Sequence, residues 1–220
     1  GCSRVCEITT SFRNEGMDSV HSPEFTLLEA YATDANINDM MELVEGMVQR
    51  AISAFKEHFL LNTESSLSPQ AFDKMFEKIN FQDVYTRYVD SKGFDNASFT
   101  RLCAQYPDHF TSGLPRFTWI MKAIEKFIAP RLANPTFVTN LPSGLSPFVR
   151  CDPDQPTITR RAFFFAGHSF IADLYEDEND SELIEIAMLE QAKINEREPN
   201  QEYLNLLAFG IPPTAGIGMG

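Results

Sequence analysis

Hydrophobic and polar positions alternate along residues 24–33. Phe25, Leu27, Glu29 and Tyr31 share one parity, Leu28 and Ala30 the other, which is the two-residue period of a β-strand. Residues 4–13 (RVCEITTSFR) are rich in Val, Ile, Thr and Phe and hold no Gly or Pro, so they predict a partner strand. The intervening residues 14–23 carry Gly16, Asp18, Ser22 and Pro23, a turn-forming composition. A β-hairpin is expected.

The period then changes. Ile37, Met40, Met41, Val44, Met47, Val48, Ala51, Ile52 and Phe55 recur at three- and four-residue spacing, predicting an amphipathic helix over about 38–58; its methionines read as core packing. Ser68-Pro69 is a helix entry, with Ser as N-cap and Pro in the first turn, and it would turn Phe72, Met75 and Phe76 inward. Residues 60–68 and 91–98 read as loops. Residues 71–116 read as short helices, and 117–128 as a further amphipathic helix ended near Pro130. Residues 162–166 form an apolar strand, with 170–175 as its hairpin partner after Gly167. A helix through Leu183, Ile186, Ala187 and Leu189 follows.

Two acidic features interrupt this pattern. Glu29 lies between Phe25 and Tyr31 on one strand face, where an unpaired buried carboxylate is costly; it is either solvated or placed for a ligand. Glu176, Asp177, Glu178, Asp180 and Glu182 cluster ahead of the last helix. Acids there complement the helix macrodipole, and Asp180 or Ser181 fits as its cap.

A chain of 220 residues can bury a substantial core in one domain. No apolar run approaches membrane-spanning length, and the N-terminus lacks a signal-peptide pattern. Cys2, Cys6, Cys103 and Cys151 are scattered without C-x-x-C spacing, which fits a reduced intracellular chain better than a disulfide scaffold or zinc site. Of His21, His58, His109 and His168, only His21 has a functional context. The net charge of −13 argues against nucleic-acid binding by this chain alone, because neutralising phosphates with Lys and Arg drives such affinity.

Three segments carry a family likeness. F-R-N-E-G from Phe12, His21 eight residues after Arg13, and S-P-E-F-T-x-x-E-x-Y ending at Tyr31 closely resemble motif 2 of the class II lysyl-tRNA synthetases. Residues 135–149 (PTFVTNLPSGLSPFV) are similar to the segment that family writes P-T-F-V-T-D-Y-P-x-E-x-S-P-L-A, and residues 210–220 (GIPPTAGIGMG) look like the start of motif 3. The resemblance implies an α+β domain with a class II synthetase-like, mostly antiparallel sheet flanked by helices. It implies a partial catalytic domain over 1–220, from motif 2 to the start of motif 3, with a helical insertion at about 60–130.

It also implies roles. Arg13 would bridge the amino-acid carboxylate and the α-phosphate of ATP, as the catalytic residue. Glu15 would accept from the adenine amine, Phe25 would stack on the ring, and His21 would approach the outer phosphates. Gly216 and Gly218, with Gly220, would let the backbone pass close to the nucleotide. Glu29, Tyr31 and Asp177 would surround the lysine ε-ammonium, Asp177 standing where the family has a Glu. Asp173 stands where the family has an Asn near the lysine carboxylate, a repulsive placement unless Arg13 compensates or a proton is retained. Phe163 and Phe170 align with two family glutamates that hold magnesium, and a phenyl ring offers no oxygen ligand. Mg²⁺ is thus expected for the family, but its usual ligands are absent.

The expected function is ATP-dependent lysine adenylation and transfer to tRNA, with tRNA bound through an anticodon domain and a homodimer built through motif 1, both placed before Gly1. Two alternatives remain: a non-catalytic synthetase-like paralogue that binds ATP or lysine, and the relative that lysylates elongation factor P. The P-P-T-A-G at 212–216 ranks the second of these lower, and Phe163 and Phe170 favour the first over it. A cytoplasmic location is expected, with an organelle as the alternative.

Overall fold

The computed structural model describes residues 2–13, 22–58, 69–195 and 200–220. Strands β1 (Arg4–Phe12) and β2 (Glu24–Thr33) pair antiparallel from Arg4↔Ala32 to Phe12↔Glu24 without a register break. Both expected strands form. The expected loop at 60–68, with the proposed cap Ser68, lies outside the described residues.

Helix α1 (Ile37–His58) follows β2. It buries Met40, Met41 and Val44, the stripe that its periodicity predicts. A short 3-10 turn, Pro69–Asp73, takes the place of the expected helix entry. Phe72 and Phe76 are buried, but Met75 is 86% exposed. The turn ends at Asp73, so the helical spacing that would have turned Met75 inward does not extend that far.

Residues 71–116, expected to be helical, also contain strand β3 (Glu77–Asn80). Glu-Lys-Ile-Asn has little strand character alone, and four residues cannot show a clear period. It forms because its backbone pairs, parallel, with β4 (Thr136–Thr139) from Glu77↔Thr136 to Asn80↔Thr139. Helices α2 (Phe81–Tyr88), α3 (Ser98–Gln105) and α4 (Arg116–Ala123) follow β3 in the chain, and α4 runs on through one π-turn, Ile124–Ile128.

The last elements are β5 (Arg161–Ala166), β6 (Ser169–Glu176), α5 (Ser181–Asn195), α6 (Gln201–Leu207) and β7 (Thr214–Met219). One seven-stranded sheet results, ordered β1-β2-β7-β6-β5-β4-β3 and antiparallel except at β3–β4. Gly167 (φ +58°) and His168 (φ +67°) join β5 to β6 in a two-residue turn, both in the left-handed region that tight hairpins need.

Each sheet face has its own core. Leu28, Ala30, Ala215, Ile217, Ala172, Leu174, Ala162 and Phe164 pack against α1. On the other face, Val138, Phe163 and Phe165 meet a cluster built from α2, α3 and α4, including Tyr85, Leu102, Trp119 and Ile120. Two cores of buried aliphatic and aromatic side chains supply the main drive to fold. The second cluster includes residues of β4 and β5 but none of β2, β7 or β6.

Candidate active site

On that second face, strand pairing sets side chains in two rows. Glu29 of β2, Gly218 of β7, Asp173 of β6 and Phe163 of β5 are successive register partners. Tyr31, Gly216, Tyr175 and Arg161 make the next row. Because side chains alternate along strands, each row faces the same way.

The Tyr31 hydroxyl donates to Glu29 Oε1 at 3.1 Å and lies 3.0 Å from the Tyr175 hydroxyl. With the Tyr31 proton committed to Glu29, Tyr175 is the donor to Tyr31. The two rings meet edge-on, centroids 6.3 Å apart. Burial raises both phenol pKa values, first of all by desolvation, so both stay protonated. Gly216 sits between these rings. A Cβ built there would come within 2.6 Å of Tyr31 and 3.2 Å of Tyr175, so the tyrosine pair itself requires a glycine at this position. At Gly218 nothing lies within 4 Å of such an atom.

Asp173 is held by Arg161. Nε reaches Oδ1 at 2.8 Å and Nη2 reaches Oδ2, a bidentate pair of strong, charge-assisted bonds. Arg161, and not Arg13, therefore compensates this carboxylate. The Arg161 side chain is only 9% exposed, and its guanidinium also lies over the Phe163 ring, 4.9 Å from the centroid. Its Nη1 has no hydrogen-bond partner among the described residues.

A cavity of about 460 Å³ opens beside these residues, lined by Tyr31, Tyr175, Asp173, Arg161, Asp177 and Glu178, among others. Phe148, Tyr203 and Ile184 form its other wall. Asp177 lies one strand step past Tyr175 on the same parity. Its backbone N–H donates to Thr214 O, while its side chain has no hydrogen bond or ion pair to any described residue. Burial lifts its carboxyl to about 6. The neighbouring acids are structurally engaged. Glu176 accepts from Ile37 N–H and from Arg160. Glu178 accepts from the backbone N–H of Asn179 and Asp180, and Asp180 accepts from Glu182 and Leu183 as the N-cap of α5.

Thus Tyr31, Asp173 and Asp177 line one cavity, and Glu29 is joined to it through the Tyr31 hydroxyl. Arg13 lies at the end of β1 with its guanidinium 5.1 Å from the Phe25 ring centroid. Glu15 and His21 fall outside the described residues. Arg161, Tyr175, Phe148 and Tyr203 are among the cavity residues that the sequence did not single out. Arg161 and Tyr175 shared the parity of Phe163, Asp173 and Asp177 and were findable from alternation; Phe148 and Tyr203 come from remote segments with no such signal.

The same geometry bears on magnesium. Phe163 is 1% exposed, packed edge-on to Phe170 at 5.1 Å, with a guanidinium against it. Phe170 reaches this face through a β-bulge between Phe164 and Phe165, which makes Phe165 its partner. No group of three His, Cys, Asp or Glu among the described residues is arranged to hold a metal. The side chains at these two positions do not fit a magnesium ion.

A mostly antiparallel sheet bearing this acid- and tyrosine-lined pocket matches a known class. A family model for class II tRNA synthetases (D, K and N) matches residues 1–220, and the chain belongs to that family. Among its relatives is a lysine–tRNA ligase of Mesomycoplasma hyopneumoniae (strain 7448), 32% identical over 238 aligned residues that take in 100% of this chain and 46% of the relative. The lysine–tRNA ligase of Citrobacter koseri is 31% identical, with 100% and 45% covered, and that of Streptococcus thermophilus 29% identical, with 100% and 46% covered. The chain spans about half the length of the curated relatives it matches.

Proposed function

We propose that this chain is part of the catalytic domain of a lysine–tRNA ligase, from motif 2 to the start of motif 3, and that its cavity receives lysine for ATP-dependent activation. One observation carries the choice of lysine within a family spanning D, K and N. The Asp177 carboxylate is partly buried with no basic partner among the described residues, close to a tyrosine pair whose donors are already used on each other and on Glu29. Such a pocket end offers acceptors only. An ammonium supplies three donors and a charge, whereas an aspartate side chain brings a second anion to a desolvated carboxylate.

In this reading the lysine carboxylate oxygen attacks the α-phosphorus of ATP, the bond to the β-phosphate oxygen breaks, and pyrophosphate leaves. Arg13 would stabilise charge on the α-phosphate, Phe25 would stack on adenine once the Arg13 guanidinium moves off its face, and Glu15 and His21 would add the adenine and outer phosphate contacts. The Arg161–Asp173 pair presents the amino-acid carboxylate with a neutral unit, which removes the repulsion that Asp173 alone would create. We assign tRNA and a second copy of the protein as partners of the whole protein, and the cytoplasm as its location. Among the described residues no helix is long and apolar enough to cross a membrane.

Phe163 supports a second reading, a module that binds lysine or ATP without activating either, because its ring is core and not ligand. Calorimetric titration of the chain with lysine, aspartate and asparagine tests the pocket: only lysine should saturate it, and preference for either of the others would sink the assignment. Lysine-dependent ATP–pyrophosphate exchange then separates catalysis from binding alone.

A further inference from the structure

Asp177 lines the cavity together with the rings of Tyr31, Tyr175, Tyr203 and Phe148. Tyr31, Tyr175 and Tyr203 are all close enough for its charge to raise their phenol pKa values, each behind burial as the first cause. Phe148 lies edge-on to Tyr203, centroids 6.0 Å apart, on the cavity wall. The backbone ties this group together: Glu178 N–H donates to Phe148 O, and Val149 bridges to Asp177. The carboxylate itself accepts from no described residue.

A lysine ammonium needs hydrogen-bond acceptors, and aromatic faces add little to that need. Rings around a carboxylate suit a different cation, one whose nitrogen carries methyl groups. Each methyl spreads positive charge over apolar surface and is attracted to a ring face, while a remaining N–H goes to the acid. There is room for it, since the cavity of about 460 Å³ is some two to three times the volume that one lysine molecule fills at interior packing density, on the order of 150–200 Å³.

We propose that this pocket also takes Nε-methylated lysine, with the dimethylammonium N–H on Asp177 and its methyls against Tyr175, Tyr203 and Phe148. The proposal rests on the lysine reading for where the amino acid lies, but it adds a ligand that the reading does not require. Aspartate and asparagine place no methylated nitrogen here and are not competitors.

The test is calorimetry on the whole chain with L-lysine, Nε,Nε-dimethyl-L-lysine and L-norleucine, repeated on Tyr203→Ala, whose fold is checked by circular dichroism. Dimethyl-lysine should bind within about threefold of lysine, and norleucine at least 50-fold more weakly. Tyr203→Ala should weaken dimethyl-lysine at least fivefold more than it weakens lysine. If lysine binds but dimethyl-lysine is over 20-fold weaker, or if Tyr203→Ala weakens both equally, the cage is wrong while the lysine reading stands. Dimethyl-lysine binding without lysine binding would support the cage and overturn the lysine reading. Binding of neither to folded chain would overturn both.

Discussion

Arg161 and Asp173 stand on neighbouring strands two residues out of register, and the guanidinium crosses that offset to grip both carboxylate oxygens. The register pairs Asp173 with Phe163 and Arg161 with Tyr175, so the contact runs diagonally, two residues along the strand. The diagonal contact places a full charge pair on a largely buried strand face, where either charge alone would be costly.

Removing one partner should therefore cost more than removing both. Asp173→Leu leaves Arg161 unpaired and should destabilise the fold by about 3 kcal/mol, while the double change Arg161→Met with Asp173→Leu should recover most of that loss. Urea denaturation of the single and double variants measures the difference. Equal losses would mean the pair contributes little.

The two glycines of β7 should respond differently to a methyl group. Gly216→Ala meets the Tyr31 ring at 2.6 Å, so it should break the tyrosine contact and weaken lysine binding by tenfold or more. Gly218→Ala meets nothing within 4 Å and should change lysine affinity by less than threefold. Parallel titrations check the contrast, and a Gly216→Ala chain that binds normally would contradict the account of the tyrosine pair.

Asp177 makes stability and binding depend on pH in opposite senses. Its folded carboxyl is raised from 3.8 to about 6 by burial, so folding favours its protonated form. The stability it contributes is complete below pH 3.8 and is lost as pH rises through about 6. Asp177→Asn should accordingly stabilise the chain at pH 8 by about 1–2 kcal/mol, allowing for partial exposure, and by almost nothing at pH 4. Lysine affinity should instead fall as pH drops below 6. Thermal melts and titrations at both pH values provide the check.

Phe163 and Phe170 should separate by burial. Phe163→Ala empties a fully packed site and should cost about 3–5 kcal/mol, whereas Phe170, 44% exposed, should cost about 1 kcal/mol or less on the same change. Chemical denaturation distinguishes them. Similar small losses would argue that the Phe163 ring is not part of the core.

Much of this architecture was legible because it is local. Strict alternation at 24–33, the three- and four-residue stripe of α1 and the apolar run at 162–166 each satisfy the geometry of their element without help from elsewhere. Strand β3 was not legible, since its four residues form a strand only through β4. The exposure of Met75 was misread for a related reason: a short 3-10 turn replaced the helix that its spacing suggested. Phe170 and Asp173 have opposite parity in sequence yet share a face, because the bulge opposite Phe164 and Phe165 leaves Ile171 as an extra residue in β6.

The chain's residue order determined which side chains alternate toward a common face, and through its motifs the family that such a face belongs to. Tertiary structure alone decided what each of those side chains meets. Arg161 neutralises Asp173 because its side chain reaches diagonally across two paired strands, Gly216 is needed because two tyrosines converge over it from different strands, and Asp177 is partly buried in a cavity that Phe148 and Tyr203 line from remote segments. Those are contacts between residues far apart in the chain, and the charge and burial that they set follow from three-dimensional distance, which spacing along a sequence does not encode.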